Sequence, residues 1–165
     1  MPSLLTTLKV DYPTITFEES DQFSWSPDHQ MVTYTLSDPH APELLLHELS
    51  HGLLRHHDYQ RDVELLGMER AAWDTACELA GTYAIAIDDD TIEDNLDTYR
   101  EWLHARSTCP QCTATGYQIN QTTYECPACL AQWRVNEARS CELRRYTTKG
   151  RDTLQNRVTT KKNPA

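Results

Sequence analysis

The sequence predicts an α+β fold: a mixed domain over residues 1–106, a small cysteine-bearing module over 107–135 and a basic tail over 136–165. Three observations carry this. Residues 13–36 are rich in β-branched and aromatic residues broken by turn chemistry. Apolar residues then recur at helical spacing between residues 41 and 106. Beyond them stand two C-x-x-C pairs.

Thr14-Ile15-Thr16-Phe17 reads as a short strand, and Phe23-Ser24-Trp25 alternates apolar and polar. Ser26-Pro27-Asp28-His29 is a turn, followed by a further strand, Met31 to Leu36. A hairpin or three-stranded sheet is therefore expected, leading directly into a helix. Pro39, Ala41 and Pro42 mark the start of that helix, because proline is tolerated in a first helical turn and not further in. Glu43-Leu44-Leu45-Leu46 follows, with Leu49, Leu53 and Leu54 continuing the apolar face. A second helix is expected from about residue 62 to 86, carried by Leu65, Leu66, Met68, Ala72, Trp73, Ala76 and Leu79. A third, from about 91 to 106, opens after Asp90, with Glu93 placed for a capping box.

The first of these helices holds His47-Glu48-Leu49-Ser50-His51, an H-E-x-x-H pentapeptide. Residues four apart share a helical face, so both imidazoles can point at one metal ion, and Glu48 projects beside it. There Glu48 can take a proton from an attacking water, the arrangement of a zinc protease site. Such a zinc takes three protein ligands. His57 lies ten residues after His47, the outer spacing of H-E-x-x-H-x-x-G-x-x-H, but Leu54 stands where that pattern needs its turning glycine. The rival is a carboxylate on the next helix: Glu69, with Glu64, Asp74 and Glu78 as competitors. Ala72 and Ala76 line nearly the same face as Glu69, and small residues let two helices approach closely.

Met68-Glu69-Arg70-Ala71-Ala72-Trp73-Asp74-Thr75-Ala76-Cys77-Glu78-Leu79 resembles the second element of the ImmA/IrrE family of compact zinc endopeptidases, roughly E-R-x-A-x-x-x-A-x-E-L. Glu69, Arg70, Ala72, Ala76, Glu78 and Leu79 match in register, and the resemblance covers about residues 12–87. It implies a zincin-like fold with a short sheet beside the active-site helix, Glu69 as third ligand to a catalytic zinc with His47 and His51, and Glu48 as catalytic base. It also implies a helix-turn-helix repressor as substrate. The chain departs from the family at Ser50, where glycine or alanine is frequent, and at Trp73, where a smaller polar residue is. Tyr34, His56, His57, Tyr59 and Tyr83 are the candidates for stabilising the oxyanion.

Cys109-Pro110-Gln111-Cys112 and Cys126-Pro127-Ala128-Cys129 form C-x2-C-x13-C-x2-C. Four thiolates at this spacing close a tetrahedral shell, so they read as a zinc ribbon holding a structural zinc rather than as redox dithiols. Gly116 to Ile119 and Thr122 to Glu125 read as its two strands. Cys77 is expected to be a small buried residue, and Cys141 a spare thiol.

The net charge of −10 is uneven: residues 1–129 hold six Lys/Arg against 22 Asp/Glu, and residues 130–165 hold nine against three. The basic tail (Arg134, Arg139, Arg144, Arg145, Lys149, Arg151, Arg157, Lys161, Lys162) is expected to be a solvated, flexible segment, with contact to nucleic acid or an acidic protein as the lesser alternative. No run approaches the roughly 18 apolar residues of a membrane span. Met1-Pro2-Ser3-Leu4-Leu5 also lacks the pattern of a signal peptide. A cytoplasmic location is the resulting expectation. Two further readings compete. A SprT-like protease acting on DNA-bound proteins also joins H-E-x-x-H to a zinc ribbon, but it wants a later histidine ligand, and past His57 only His104 exists. A non-catalytic module binding nucleic acid or protein through ribbon and tail is the other.

Overall fold

The computed structural model describes residues 2–139 and 141–148. The class is α+β, with four helices and two small sheets among those residues, and the chain divides after Leu103 into two compact units. No helix among them is long and apolar enough to cross a membrane.

The first unit begins with a helix that the strand-and-helix pattern of residues 13–106 leaves out, α1 (Pro2–Asp11). Leu4 and Leu8, one turn apart, are its buried contacts with the core. The chain then forms β1 (Thr16–Glu19), β2 (Ser24–Ser26) and β3 (Met31–Tyr34). Their order is β1-β3-β2, with β3 parallel to β1 and antiparallel to β2. The turn at Pro27 to Gln30 joins β2 to β3, so β3 sits centrally and alternates burial, with Val32 and Tyr34 inward. Period-2 alternation of this kind marks a sheet with one face on a core.

Against that face packs α2 (Ala41–Leu53), which buries Leu45, Leu46 and Leu49 completely. Asp38 organises its entry: the His40 N–H donates to Asp38 Oδ1 at 2.7 Å and the Ala41 N–H to the Asp38 carbonyl at 3.2 Å. The apolar face stops short of expectation, because Leu53 and Leu54 are exposed. The helix ends there in a Schellman motif. The Arg55 N–H donates to the Gly52 carbonyl at 3.1 Å, the His56 N–H to the His51 carbonyl at 2.9 Å, and Arg55 takes a left-handed φ of 55°. The reversal thus occurs without glycine. Arg55→Gly relieves about 1–2 kcal/mol of left-handed strain while adding about 0.4–1 kcal/mol of unfolded-state entropy. Its expected outcome is a small rise in the urea midpoint of unfolding; a fall would contradict the strain argument.

The second long helix, α3 (Asp62–Tyr83), packs on α2. Glu64 caps its start, accepting from the N–H groups of Gln60 at 2.9 Å and Arg61 at 3.2 Å. It ends before the expected residue 86 because Ala84 turns left-handed, φ 53°. Its inner face is Leu65, Glu69, Ala72, Trp73, Ala76 and Ala80. Cys77 lies off that face and is exposed, contrary to the expected burial. The third long helix, α4 (Asp89–Ser107), buries Leu96 fully. Its start is organised by Asp88, whose Oδ1 accepts from the Asp90 N–H at 3.2 Å. Glu93 does not cap; it pairs with Arg100 at 2.7 Å and Arg70 at 3.7 Å.

The second unit is a four-stranded antiparallel sheet in the order β4-β5-β6-β7: β4 (Tyr117–Asn120), β5 (Thr123–Glu125), β6 (Gln132–Val135) and β7 (Arg145–Thr148). The module therefore extends past the expected end at residue 135. Tyr146 and Thr147 pair with Arg134 and Trp133, drawing part of the expected tail into the sheet. Lys149, Arg151, Arg157, Lys161 and Lys162 lie outside the described residues.

Candidate metal centres

Helix α2 presents His47 and His51 on one face, and α3 brings Glu69 to them. All three residues are buried. His47 Nε2 lies 3.1 Å from Glu69 Oε2 and 3.2 Å from His51 Nε2, and the His51–Glu69 separation is 3.4 Å. Ligands about 2.0–2.1 Å from a tetrahedral zinc stand about 3.3 Å apart. The three donor atoms therefore already form one face of such a shell, and their N/N/O chemistry suits zinc.

Burial alone would raise the Glu69 carboxyl, but hydrogen bonds from His47 and His51, with their charges, hold it down to about 2. Those hydrogen bonds need protons on the two Nε2 atoms; a bound cation would displace them and keep the carboxylate ionised by its own charge. The other candidate ligands are elsewhere. Glu64 is taken up in the α3 cap, Asp74 pairs with Arg70 at 3.9 Å on the surface, and Glu78 and His57 are exposed.

The two imidazoles are held differently. The His47 ring stacks on Trp73, with centroids 4.3 Å apart and planes at 27°, and among the described residues its Nδ1 has no hydrogen-bond partner. Trp73, one turn after Glu69, is fully buried, and its indole N–H donates to Asn95 Oδ1 at 3.1 Å. Trp73 is thus a wall of the site. The His51 ring instead meets His56, Nδ1 to Nδ1, at 2.9 Å. Burial, then the neighbouring His51, pushes the His56 imidazole down, favouring its neutral form.

Glu48 is half-buried and stands beside this group without joining it. Burial pushes its carboxyl up, and Glu69 adds to that; His47, His51 and a hydrogen bond from the Trp25 backbone pull against it. The outcome is a carboxyl that holds a proton more readily than a surface glutamate, as a general base should. Of the expected oxyanion donors, Tyr83 is engaged elsewhere, its hydroxyl donating to Asp11 Oδ2 at 2.8 Å.

In the second unit Cys109, Cys112, Cys126 and Cys129 cluster at metal-binding distance. The sulfurs of Cys109 and Cys129 are 3.6 Å apart, those of Cys112 and Cys126 3.4 Å, and those of Cys112 and Cys129 3.5 Å. Disulfide sulfurs would be about 2.05 Å apart, whereas four thiolates about 2.3 Å from one zinc stand about 3.8 Å apart. The distances fit a shared ion. Both pairs sit in the same turn: the Cys109 N–H donates to the Ala114 carbonyl and the Cys126 N–H to the Ala131 carbonyl, each at 2.9 Å. Thr113 and Leu130, each one residue past its second cysteine, share a left-handed φ of 60°. The Cys129 N–H, against desolvation, and the Ala128 N–H bring the Cys126 thiol down to about 7. Gly116 is required by space, since a Cβ there would lie 2.3 Å from the Trp133 ring.

No family model, curated protein or solved structure matches the chain.

Proposed function

We propose that the protein is a zinc-dependent endopeptidase of compact zincin type, with a structural zinc in its ribbon. The observation that carries this is the convergence of His47 Nε2, His51 Nε2 and Glu69 Oε2 within 3.1–3.4 Å, with Glu48 at their side. The three-stranded sheet against α2, and α3 packed on α2, support the zincin-like fold. His47, His51 and Glu69 would hold the catalytic ion; Cys109, Cys112, Cys126 and Cys129 would hold the structural one. When bound, a zinc ion polarises a peptide carbonyl and makes water a nucleophile near neutral pH.

The chain's own residues do the rest. Glu48 accepts the proton of the attacking water and passes it to the amine that leaves, which needs a carboxyl with raised proton affinity held close by. Trp73 holds the His47 ring by stacking on it. By the resemblance carried by Glu69, Arg70, Ala72, Ala76, Glu78 and Leu79, the substrate is a helix-turn-helix repressor. Co-expression with candidate repressors, followed by mass spectrometry of new termini, tests this. A discrete internal cleavage that disappears with His47→Ala is expected; a repressor set left intact by the zinc-loaded protein would count against the substrate class. Failure to cut any protein or unfolded polypeptide would overturn the protease reading.

A further inference from the structure

We infer that His56 is a positioning residue for the metal ligand His51, fixing its ring and its tautomer through the Nδ1–Nδ1 hydrogen bond. The inference rests on the metal site proposed above. His51 turns its Nε2 toward His47 Nε2, at 3.2 Å, and Glu69 Oε2, at 3.4 Å. A ligating nitrogen must be free of its proton, so the single proton of a neutral His51 resides on Nδ1. That Nδ1–H faces His56 Nδ1 at 2.9 Å, which must then accept, leaving the His56 proton on its own Nε2. The hydrogen bond makes Nε2 the only nitrogen that His51 can offer a metal, and it raises that nitrogen's basicity.

His56 is itself clamped. Its N–H donates to the His51 carbonyl at 2.9 Å in the Schellman turn, and its carbonyl accepts from the Trp25 indole N–H at 3.2 Å. Gly52 makes room for that indole, because a Cβ there would lie 3.0 Å from the Trp25 ring. The left-handed Arg55 thus returns the chain so that the next residue, not His57, reaches the site, and it meets a ligand rather than the metal position. His47 has stacking in place of such a bond. His56 is therefore the polar hold on the second ligand.

The test is zinc titration of the stripped full chain against a chromophoric chelator, for wild type, His56→Ala, His56→Phe and His56→Asn. Each is followed also by the visible spectrum of the Co2+ form, in which the thiolate site absorbs separately as an internal reference, and by hydrogen exchange over residues 41–83, which reports that the first unit is folded. His56→Ala and His56→Phe are expected to weaken the His/Glu site about 10–100-fold with the thiolate site unchanged. His56→Asn, whose amide oxygen can replace Nδ1 as acceptor, is expected to return to within a few-fold of wild type. Wild-type affinity in the Ala and Phe variants, with or without lost cleavage, overturns the inference; so does an Asn variant as weak as Phe. If the wild type takes up no metal at this site, the protease reading fails and the inference with it.

Discussion

Glu48→Gln is expected to lower peptide cleavage by about 10²–10⁴-fold, the range for loss of a general base, while leaving both metals in place. Glutamine keeps the size and shape of the side chain, so its packing beside the ligands is preserved. What it loses is the capacity to take a proton from water. Glu48 is not among the three converging ligand atoms, so metal content is not expected to change. Stability is expected to hold or rise slightly, because a neutral amide replaces a carboxylate whose burial is unfavourable. Steady-state cleavage of one peptide, with metal analysis of the same samples, checks this. A variant keeping a tenth or more of wild-type activity would remove Glu48 from the mechanism.

The second large effect concerns the ribbon. Stripping its metal, or replacing Cys126 by serine, is expected to unfold the second unit and spare the first. The buried set there is small: Cys109, Tyr124, Cys126, Ala131, Trp133 and Val135, two of them metal-ligand candidates. So little apolar surface cannot offset the chain entropy of ordering the sheet. Structural zinc supplies about 10–16 kcal/mol of apparent binding free energy in small modules of this kind, which exceeds any contribution from those side chains. Tyr124 and Trp133 stack 5.7 Å apart at 14°, and the Trp133 N–H donates to the Arg106 carbonyl at 2.9 Å, so the near-ultraviolet signal reports their loss. Hydrogen exchange resolved by segment distinguishes the units. Protection of residues 117–135 that survives chelation would contradict the account. The first unit has its own core, built on Leu45, Leu46, Leu49, Trp73 and Leu96, and is expected to remain protected.

The parts legible in the sequence are those where spacing and side-chain chemistry coincide. Two histidines four apart on a helix, and cysteines in two turns of equal length, specify geometry locally. Register with Ala72 and Ala76, which line the inner face of α3, leaves Glu69 in competition with Glu64, Asp74 and Glu78, and only the resemblance singles it out. Other features depend on contacts that leave no local pattern. The first helix rests on little more than Leu4 and Leu8, too few positions for a period. Strand β7 is exposed along Arg145, Tyr146 and Thr147, so it lacks alternation and reads as part of a basic tail. Residue type puts Cys77 inside, although its helical phase relative to Trp73 and Ala76 turns it outward. The role of His56 depends on a left-handed arginine, and arginine carries no signal for that conformation. The spacing of five from His51 was visible, but only the Schellman turn brings the two rings together.

Zinc content of the purified full chain, measured for wild type and Glu69→Ala, bears most directly on the central claim. Two zinc ions are expected per wild-type chain and one in Glu69→Ala, with the retained ion on the four cysteines. A single zinc in the wild type, held by the cysteines, would contradict that claim.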